Sequence, residues 1–453
     1  MIRIAALRRS ILAWILATGA AGGCGSSLGG DARGLDAGGE GGSRAGSTAL
    51  TASTTTRATP TSATPTSATT PSGAGSSGGG SSVASSGSGT SDAASTEAGA
   101  PAGLWVTGYY PSWNDDANSA TYPVRAIDWA GLSEVASAFY IPDGNGGWAS
   151  GSFDAATANA LIAAAHGTSK RAIASIGGAD SGAGFEGSMA NLSTFMSNLA
   201  ALLTLGYDGI DIDWEGGNQT LAEDQALETT LLQGLRAAHP SILLTMTAGI
   251  VNPNLAQASD YAFYGAIAPA LDRINVMTYG MAGAYEGWES WHSSPLHWNN
   301  VSATPSGIDN SVSYYLAAGV PAAKLGVGIG FYGLCYTAPV TGPVQPLDGS
   351  TVVVSDDVMS YANILANYYS SSAYHYDTDA SVPYLTLSGN DAEPCTYVTY
   401  EDATSIAAKA AWVKAQGLGG VIIWSIDEGY VAGGASLAEQ NPLLDVTKSS
   451  FLQ

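Results

Sequence analysis

Eight short apolar runs recur between residues 104 and 425 of this 453-residue chain. They are Leu104–Tyr110, Glu134–Tyr140, Arg171–Ile176, Gly209–Trp214, Ile242–Thr247, Arg273–Tyr279, Leu325–Phe331 and Gly420–Ser425. Helix-like segments fill most intervals, namely Asp154–His166, Met189–Thr204, Leu221–His239, Gln257–Leu271, Asn310–Ala318 and Asp402–Gln416. Strands that are apolar on both faces and separated by helices imply a parallel sheet buried on both sides. Eight of them predict an α/β chain closed into a (β/α)8 barrel, the TIM barrel architecture. A doubly wound open sheet is the alternative, but no Gly-x-Gly-x-x-Gly follows the first run, which counts against a dinucleotide fold.

The interval between the seventh and eighth runs is about 90 residues, too long for one loop. It holds strand-like Thr351–Val354 and Val382–Leu387 around a helix-like Asp356–Asn367. Residues 334–396 therefore read as a small α+β insertion. In a barrel it would rise from the C-terminal face, where active sites lie. Cys335 and Cys395 bracket it, so a disulfide there would close its neck.

The first 102 residues read differently. Arg3, Arg8 and Arg9 precede an apolar run from Ile11 to about Ala21, then Ala21-Gly22-Gly23 and Cys24. This is the layout of a secretory signal, and the run is short of the ~20 apolar residues of a transmembrane helix. Cys24 after small residues resembles a bacterial lipobox, with Ala21 where that motif prefers Leu. The segment 1–24 is thus a lipoprotein-type signal by this reading, and ordinary secretion with Cys24 removed is the plainer one. Lipid on Cys24 would leave Cys335 and Cys395 as an even pair in an oxidising compartment. Residues 25–102 are Gly, Ser, Thr, Ala and Pro, with Thr-Pro-Thr-Ser-Ala twice, at 59–63 and 64–68. Few large apolar residues are present to offset ordering entropy, so this stretch reads as a disordered tether. Nearly 80 such residues span roughly 50 Å on average. Export to the outer membrane or cell surface follows, with membrane contact only through the lipid.

Residues 103–453 make up the folded part. The chain has 15 basic and 38 acidic residues, of which six and five fall in the first hundred. The other nine basic and 33 acidic residues leave the folded part at about −24. Such a surface repels phosphate and excludes nucleic acid as a partner. Charged residues are only 12% of the chain, against roughly 25% in an average domain. Neutral polar groups must then form much of the surface, which suits a neutral polar ligand such as a glycan.

The chemistry is concentrated in the fourth run, where residues 207–216 read Tyr-Asp-Gly-Ile-Asp-Ile-Asp-Trp-Glu-Gly. A strand alternates faces, so Asp211, Asp213 and Glu215 share one face and Ile210, Ile212 and Trp214 the other. Acids about 6–7 Å apart in a barrel interior resist ionisation, through burial and through one another's charge. One or more then hold a proton near neutral pH, as a general acid must. Glu215 is last on the strand and longest, and is the natural donor. A solvated acidic strand face is the bland alternative, although such faces usually mix in Lys, Thr or Ser. Three carboxylates also suit a hard divalent cation. Ligands two apart on a straight strand converge poorly, however, and no His stands near, so no metal and no cofactor is expected.

Asp208-Gly209-Ile210-Asp211-Ile212-Asp213-Trp214-Glu215 resembles the Asp-x-x-Asp-x-Asp-x-Glu signature of glycoside hydrolase family 18, the retaining chitinases. Ala174-Ser175-Ile176-Gly177-Gly178 is similar to the family's Ser-x-Gly-Gly, and Met277-Thr278-Tyr279 to its Met-x-Tyr. Lys324–Gly333, Gly419–Ile426 with Trp424, and Tyr397–Ser405 also resemble family segments. The likeness covers residues 104 to about 430. It implies hydrolysis of β-1,4-linked N-acetylglucosamine polymers with retention, in which the substrate's acetamido group is the nucleophile. Glu215 would protonate the glycosidic oxygen, Asp213 would orient the acetamido N–H, and Asp211 would share a proton with Asp213. Tyr279 would bind the acetamido oxygen, Met277 would line its pocket, and Trp424 would floor the sugar. Asp208, which opens the motif, joins the substrate-binding candidates. The departure is Gly280, where the family usually has Asp, and altered subsite preference is expected from it.

Other candidates are aromatic. Tyr109, Tyr110 and Trp113 follow the first run and could stack on sugars. Trp288, Trp291 and Trp298 after the sixth form a glycan platform or a loop packed on itself, with His292 and His297 as polar contacts. Gly177 and Gly178 read as tight-turn residues. The expected partner is chitin or a chito-oligosaccharide, bound by a monomer. Two other functions share these residues: hydrolysis of another 2-acetamido glycan, such as an N-glycan core or peptidoglycan, and glycan binding without catalysis.

Overall fold

The computed structural model describes residues 103–453 apart from 115–121, 253–260, 286, 299–305, 349–350, 352 and 391–393. The expected signal segment, the lipid site at Cys24 and the linker to residue 102 lie outside the described residues. Barrel strands β1 (Trp105–Pro111), β2 (Glu134–Tyr140), β3 (Arg171–Gly178), β4 (Gly209–Trp214), β5 (Leu243–Ala248), β6 (Arg273–Val276) and β7 (Leu325–Gly330) follow in chain order. A second sheet holds β8 (Tyr332–Thr337), β9 (Val353–Ser360), β10 (Tyr374–Asp377), β11 (Val382–Thr386) and β12 (Cys395–Thr399), before β13 (Gly420–Trp424) returns to the barrel.

The eight barrel strands close in the order β1-β13-β7-β6-β5-β4-β3-β2, every pair parallel. This is the (β/α)8 barrel that the apolar runs predict. The strands are buried almost throughout because each has helices on one side and the barrel interior on the other. Ile210, Ile212, Leu244, Met246, Ile274 and Val276 point outward into a shell with helical Phe195, Leu199, Leu231 and Leu235. Tyr109, Ala136, Ala138, Phe139, Ile173, Met277 and Ile422 point inward as a separate cluster. Period-two alternation thus sorts each strand between two cores.

Helix ends follow local chemistry. Asp154 accepts from the N–H groups of Ala156 and Thr157 (2.7 and 3.2 Å) to start Ala155–Gly167. Thr220 and Glu223 form a reciprocal capping box for Leu221–Ala238. The helix expected over 189–204 runs Leu192–Leu205, and Met189 and Ala190 end a separate helix, Gly182–Ala190, with the chain turning at Asn191 between them.

The bottom of the barrel holds an ion pair that the strand pattern hid. Glu134 opens β2 fully buried and pairs with Arg273, which opens β6 at 2% exposure. Arg171 also reaches Glu134 (2.8 Å), Thr107 donates to it (2.5 Å), and the Arg273 guanidinium lies 4.3 Å above the Trp105 ring. Hydrogen bonds and cation–π contact compensate charges that burial alone would penalise.

The second sheet is antiparallel, ordered β10-β11-β12-β8-β9. Leu334, Tyr336, Val382 and Tyr397 fill one face, and Cys335, Leu385, Cys395 and Val398 the other. Cys335 and Cys395 are bonded, with Cα atoms 5.5 Å apart. They bridge the neighbouring strands β8 and β12 inside the sheet, rather than a neck beneath it. The sheet begins at Tyr332 and ends at Thr399, slightly beyond 334–396 on both sides. Residues 356–360 extend β9, and the helix expected from Asp356 starts only at Tyr361, capped by the Ser360 side chain.

Candidate active site

The C-terminal ends of β1, β3, β4, β5, β6 and β13 gather the acids and aromatics. Register determines who meets whom: Asp211 lies opposite Ser175 of β3 and Thr245 of β5. Asp211 accepts from Ser175 Oγ (2.8 Å), from the Tyr109 hydroxyl (2.7 Å) and from Thr245. Asp213, one pleat further up, accepts from Thr247. Both acids are buried, Asp211 completely and Asp213 at 2% exposure, while Glu215 is half-buried at the mouth.

Close approach of β3 to this row requires glycine. A Cβ on Gly177 would stand 1.9 Å from the Asp213 carbonyl oxygen, and one on Gly178 would stand 2.6 Å from the Phe139 ring. The two residues are at φ +122° and +91°, which glycine adopts without strain. Beyond them, Ser181 Oγ donates to the Asp213 carbonyl (3.2 Å), and Gly182 N–H donates to the Glu215 carbonyl (2.8 Å). The backbone on either side of the acid is thereby fixed.

Electrostatics follow from this burial. Desolvation raises Asp211, and its three donors and the charge of Arg273 pull it back. Asp213 has one donor and the neighbouring Asp211 charge, and is pushed up to about 7, with burial the main cause. Glu215 is held well above the usual carboxylate range, first by burial and then by Asp213, Asp180 and Asp356. A protonated carboxylic acid at the mouth, above a buried carboxyl pair, is an arrangement for giving a proton to a bound molecule.

Aromatic groups surround the row. Trp424 stacks on Phe139 (centroids 5.4 Å, planes 16° apart) and meets Tyr109 and Trp113, each at 5.9 Å. Tyr279 is half-buried beside Tyr332, edge to face at 6.0 Å. Met277 belongs to the inward cluster with Tyr109 and Trp424. Glu215, Asp213, Asp211, Tyr279, Met277, Trp424 and Tyr109 therefore come together, and Trp113 joins them at the rim at 53% exposure.

Asp208 does not join this group. It precedes β4 at the other end of the barrel, accepting from His166 (2.9 Å) and from the Ala172 N–H (2.8 Å). Tyr110 points outward, its hydroxyl donating to the Tyr122 carbonyl (2.8 Å). The loop after β6 packs on the second sheet: Trp291 is buried in that core, and Trp288 lies half-buried against Tyr285. His292, fully buried, contacts Asp377 (3.0 Å) and Tyr397 (2.9 Å), and His297 contacts Asp309 (3.1 Å).

Sequence reasoning passed over Thr245, Thr247, Phe139, Tyr332 and Asp356. The two threonines carried a usable signal, since their spacing in β5 repeats the spacing of Asp211 and Asp213 in β4. Nothing local marks Asp356, which arrives from another sheet.

The sequence profile of Glycosyl hydrolases family 18 matches residues 106–429. Chitinase A1 of Niallia circulans is 31% identical over 251 residues, which is 49% of this chain and 34% of that protein. Chitotriosidase-1 of Mus musculus is 31% identical over 263 residues, 52% of this chain and 53% of that protein. The matched part of the chain thus spans between a third and about half of these relatives' lengths. Among solved structures, the Ostrinia furnacalis Group IV chitinase superposes with a TM-score of 0.63 at 22% identity, over 77% of this chain and all of that one. At that identity the likeness establishes the fold.

Proposed function

The chain belongs to glycosyl hydrolase family 18, and from that premise we propose that it is a chitinase, cutting β-1,4-linked N-acetylglucosamine polymers with retention. The observation that carries this reading is the half-buried Glu215, biased towards its protonated form at the end of the strand that buries Asp211 and Asp213. The profile match and the two chitinase-named relatives support the substrate class.

The reaction needs no protein nucleophile. The acetamido carbonyl oxygen of the bound sugar attacks its own anomeric carbon. The glycosidic C–O bond breaks, its electron pair goes to the leaving oxygen, and Glu215 delivers a proton there. The resulting ring carries positive charge, which ionised Asp213 stabilises through the acetamido N–H. Water then adds at the anomeric carbon as the bond to the acetamido oxygen breaks and its electron pair returns to the acetamido group, and the water gives a proton back to Glu215. Tyr279 supplies a hydroxyl to the acetamido oxygen, and Trp424 presents an aromatic face to the sugar's C–H face.

Glu215→Gln keeps the side chain's shape and removes the proton. Turnover of a fluorogenic chito-oligomer is expected to fall by more than ~100-fold, about 3 kcal/mol in barrier, with binding retained. A smaller loss removes Glu215 from the role. Release of chitobiose, set against glycan release from a high-mannose glycoprotein or from peptidoglycan, decides the substrate. Equal cutting of polymer stripped of its acetyl groups refutes the substrate-assisted route.

We further propose export through the N-terminal segment, with lipid on Cys24. The basic, apolar and small-residue order of residues 1–24 supports it. Cys24→Ala in a bacterial host should move the protein from the membrane fraction to the soluble one, and an unchanged distribution removes the lipid.

A further inference from the structure

Between β8 and β9 the pairing is irregular: Tyr332 pairs with Ser360 but Leu334 pairs with Ser355. Gly333 alone therefore faces residues 356–359. Bulges of this kind bend a strand and re-aim its side chains, and they recur beside active sites. At the start of this one, Asp356 is in the left-handed region at φ +57°, which Asp tolerates better than most residues. Its carboxylate reaches the barrel mouth, where Trp424 Nε1 donates to its Oδ1 at 3.1 Å. Tyr332, two residues after β7, stands beside it. A Cβ on Gly280 would lie 3.6 Å from the Tyr332 hydroxyl, so that hydroxyl occupies the ground next to Tyr279.

We propose that Asp356 is a positioning residue for the reaction assigned above: it locks the plane of the Trp424 indole and places a further negative charge against Glu215. The inference rests on that assignment for its kinetic part only. Trp424 has Phe139 beneath it and Trp113 at its edge. The hydrogen bond to Asp356 removes the remaining freedom of the ring to rotate in its own plane. The charged groups acting on Glu215 are Asp213 of β4, Asp180 after β3 and Asp356 of β9, and the tyrosines Tyr279 and Tyr332 adjoin them. Removing the Asp356 charge leaves Glu215 easier to ionise. The inserted sheet thus contributes to the acid-catalysed step and not only to the wall of a groove.

Two readouts test this. In 15N-labelled protein, the Trp424 indole N–H resonance, assigned by its loss in Trp424→Phe, should shift in Asp356→Ala. An unchanged resonance overturns the clamp, whether or not the protein turns over chitin. In kinetics, Asp356→Asn should move the alkaline limb of the kcat/KM profile to lower pH by about half a unit or more, as loss of one nearby like charge requires. Asp356→Glu should restore much of the wild-type limb. An unmoved limb in Asp356→Asn overturns the electrostatic part, and a fall in kcat/KM equal at every pH does the same. Glu215→Gln in the same assay separates failure of this inference from failure of the chitinase reading, because it alone tests the acid.

Discussion

The Tyr109 hydroxyl lies 2.7 Å from Oδ2 of Asp211 at the centre of the barrel, 102 residues away in sequence. With Ser175 and Thr245 it surrounds Asp211 with donors, while Asp213 directly above has Thr247 alone. Two identical acids on one strand face are thereby made unequal. The lower is well solvated by fixed hydroxyls, and the upper is left easy to protonate. In the reaction proposed above, that inequality would let the upper acid change charge as the bound sugar passes through its transition state.

Asp213→Ala should therefore cost more activity than Asp211→Ala, because Asp213 stands nearer the mouth. A loss of ~100-fold or more in kcat is expected for Asp213→Ala, typical of a removed electrostatic stabiliser. Tyr109→Phe should have a milder effect, leaving Asp211 two donors. Steady-state kinetics on a chito-oligomer check the order, and equal losses at Asp211 and Asp213 contradict it.

Glu228 offers a pH prediction. It is buried on the helix Leu221–Ala238 and faces a cleft shared with Thr247, Met277 and Tyr264. Burial first, then the charges of Asp224 and Asp213, push it up to about 8. A carboxyl raised on folding contributes stability that is present below its unfolded value and lost as pH rises through about 8. Glu228→Gln cannot ionise, so its Tm should exceed that of wild type at pH 9 and match it near pH 4. Thermal denaturation across that range decides, and a gain that does not vary with pH excludes ionisation as its source.

Much of this was legible in the sequence, for a physical reason. Strands β1 to β7 and β13 are buried on both faces, so each leaves a largely apolar run, and Asp211, Asp213 and Glu215 interrupt the fourth with period two. The acids, Tyr279, Met277 and Trp424 could be placed together from sequence because they lie on or soon after those strands. Asp208 was misleading because it shares the motif but sits at the N-terminal end of its strand, where it accepts from Ala172 and His166. Trp291 was ambiguous because a buried Trp and a platform Trp look alike in a loop. Glu134 with Arg273, and Asp356 with Trp424, are pairings across 139 and 68 residues. No local pattern encodes such partners, which depend on barrel closure and on how the inserted sheet docks.

The disulfide has a consequence for folding. It closes a span of 60 residues, for which chain entropy alone gives about 4 kcal/mol. Because Cys335 and Cys395 join β8 to β12, the effect falls on the inserted sheet. Cys335→Ser with Cys395→Ser should lower the denaturant midpoint and open residues 353–386 to protease before the barrel. Coincident loss of sheet and barrel would mean that the two unfold as one.

The last prediction concerns Glu401, which precedes the helix Ala403–Gln416, and Lys409 at the middle of that helix, a buried pair. Lys409 Nζ lies 3.0 Å from Ser294 Oγ, and Ser294 donates to the Thr278 carbonyl (2.5 Å). Thr278 in turn exchanges hydrogen bonds with Gly328 of β7, both 2.9 Å. Thr278 stands between Met277 and Tyr279, so the pair anchors the segment that carries Tyr279, proposed above to bind the acetamido oxygen. Lys409→Met leaves the buried Glu401 without its countercharge and with the Ser405 hydroxyl still donating to it (2.6 Å), at a cost of about 3–5 kcal/mol. Glu401→Gln added to it removes the stranded charge, so the double variant should recover much of the stability. Its KM should nonetheless stay raised, because Ser294 has lost the ammonium that holds it. Denaturant melts and oligomer kinetics on the three proteins test both halves, and a double variant with wild-type KM breaks the link from Lys409 to Tyr279.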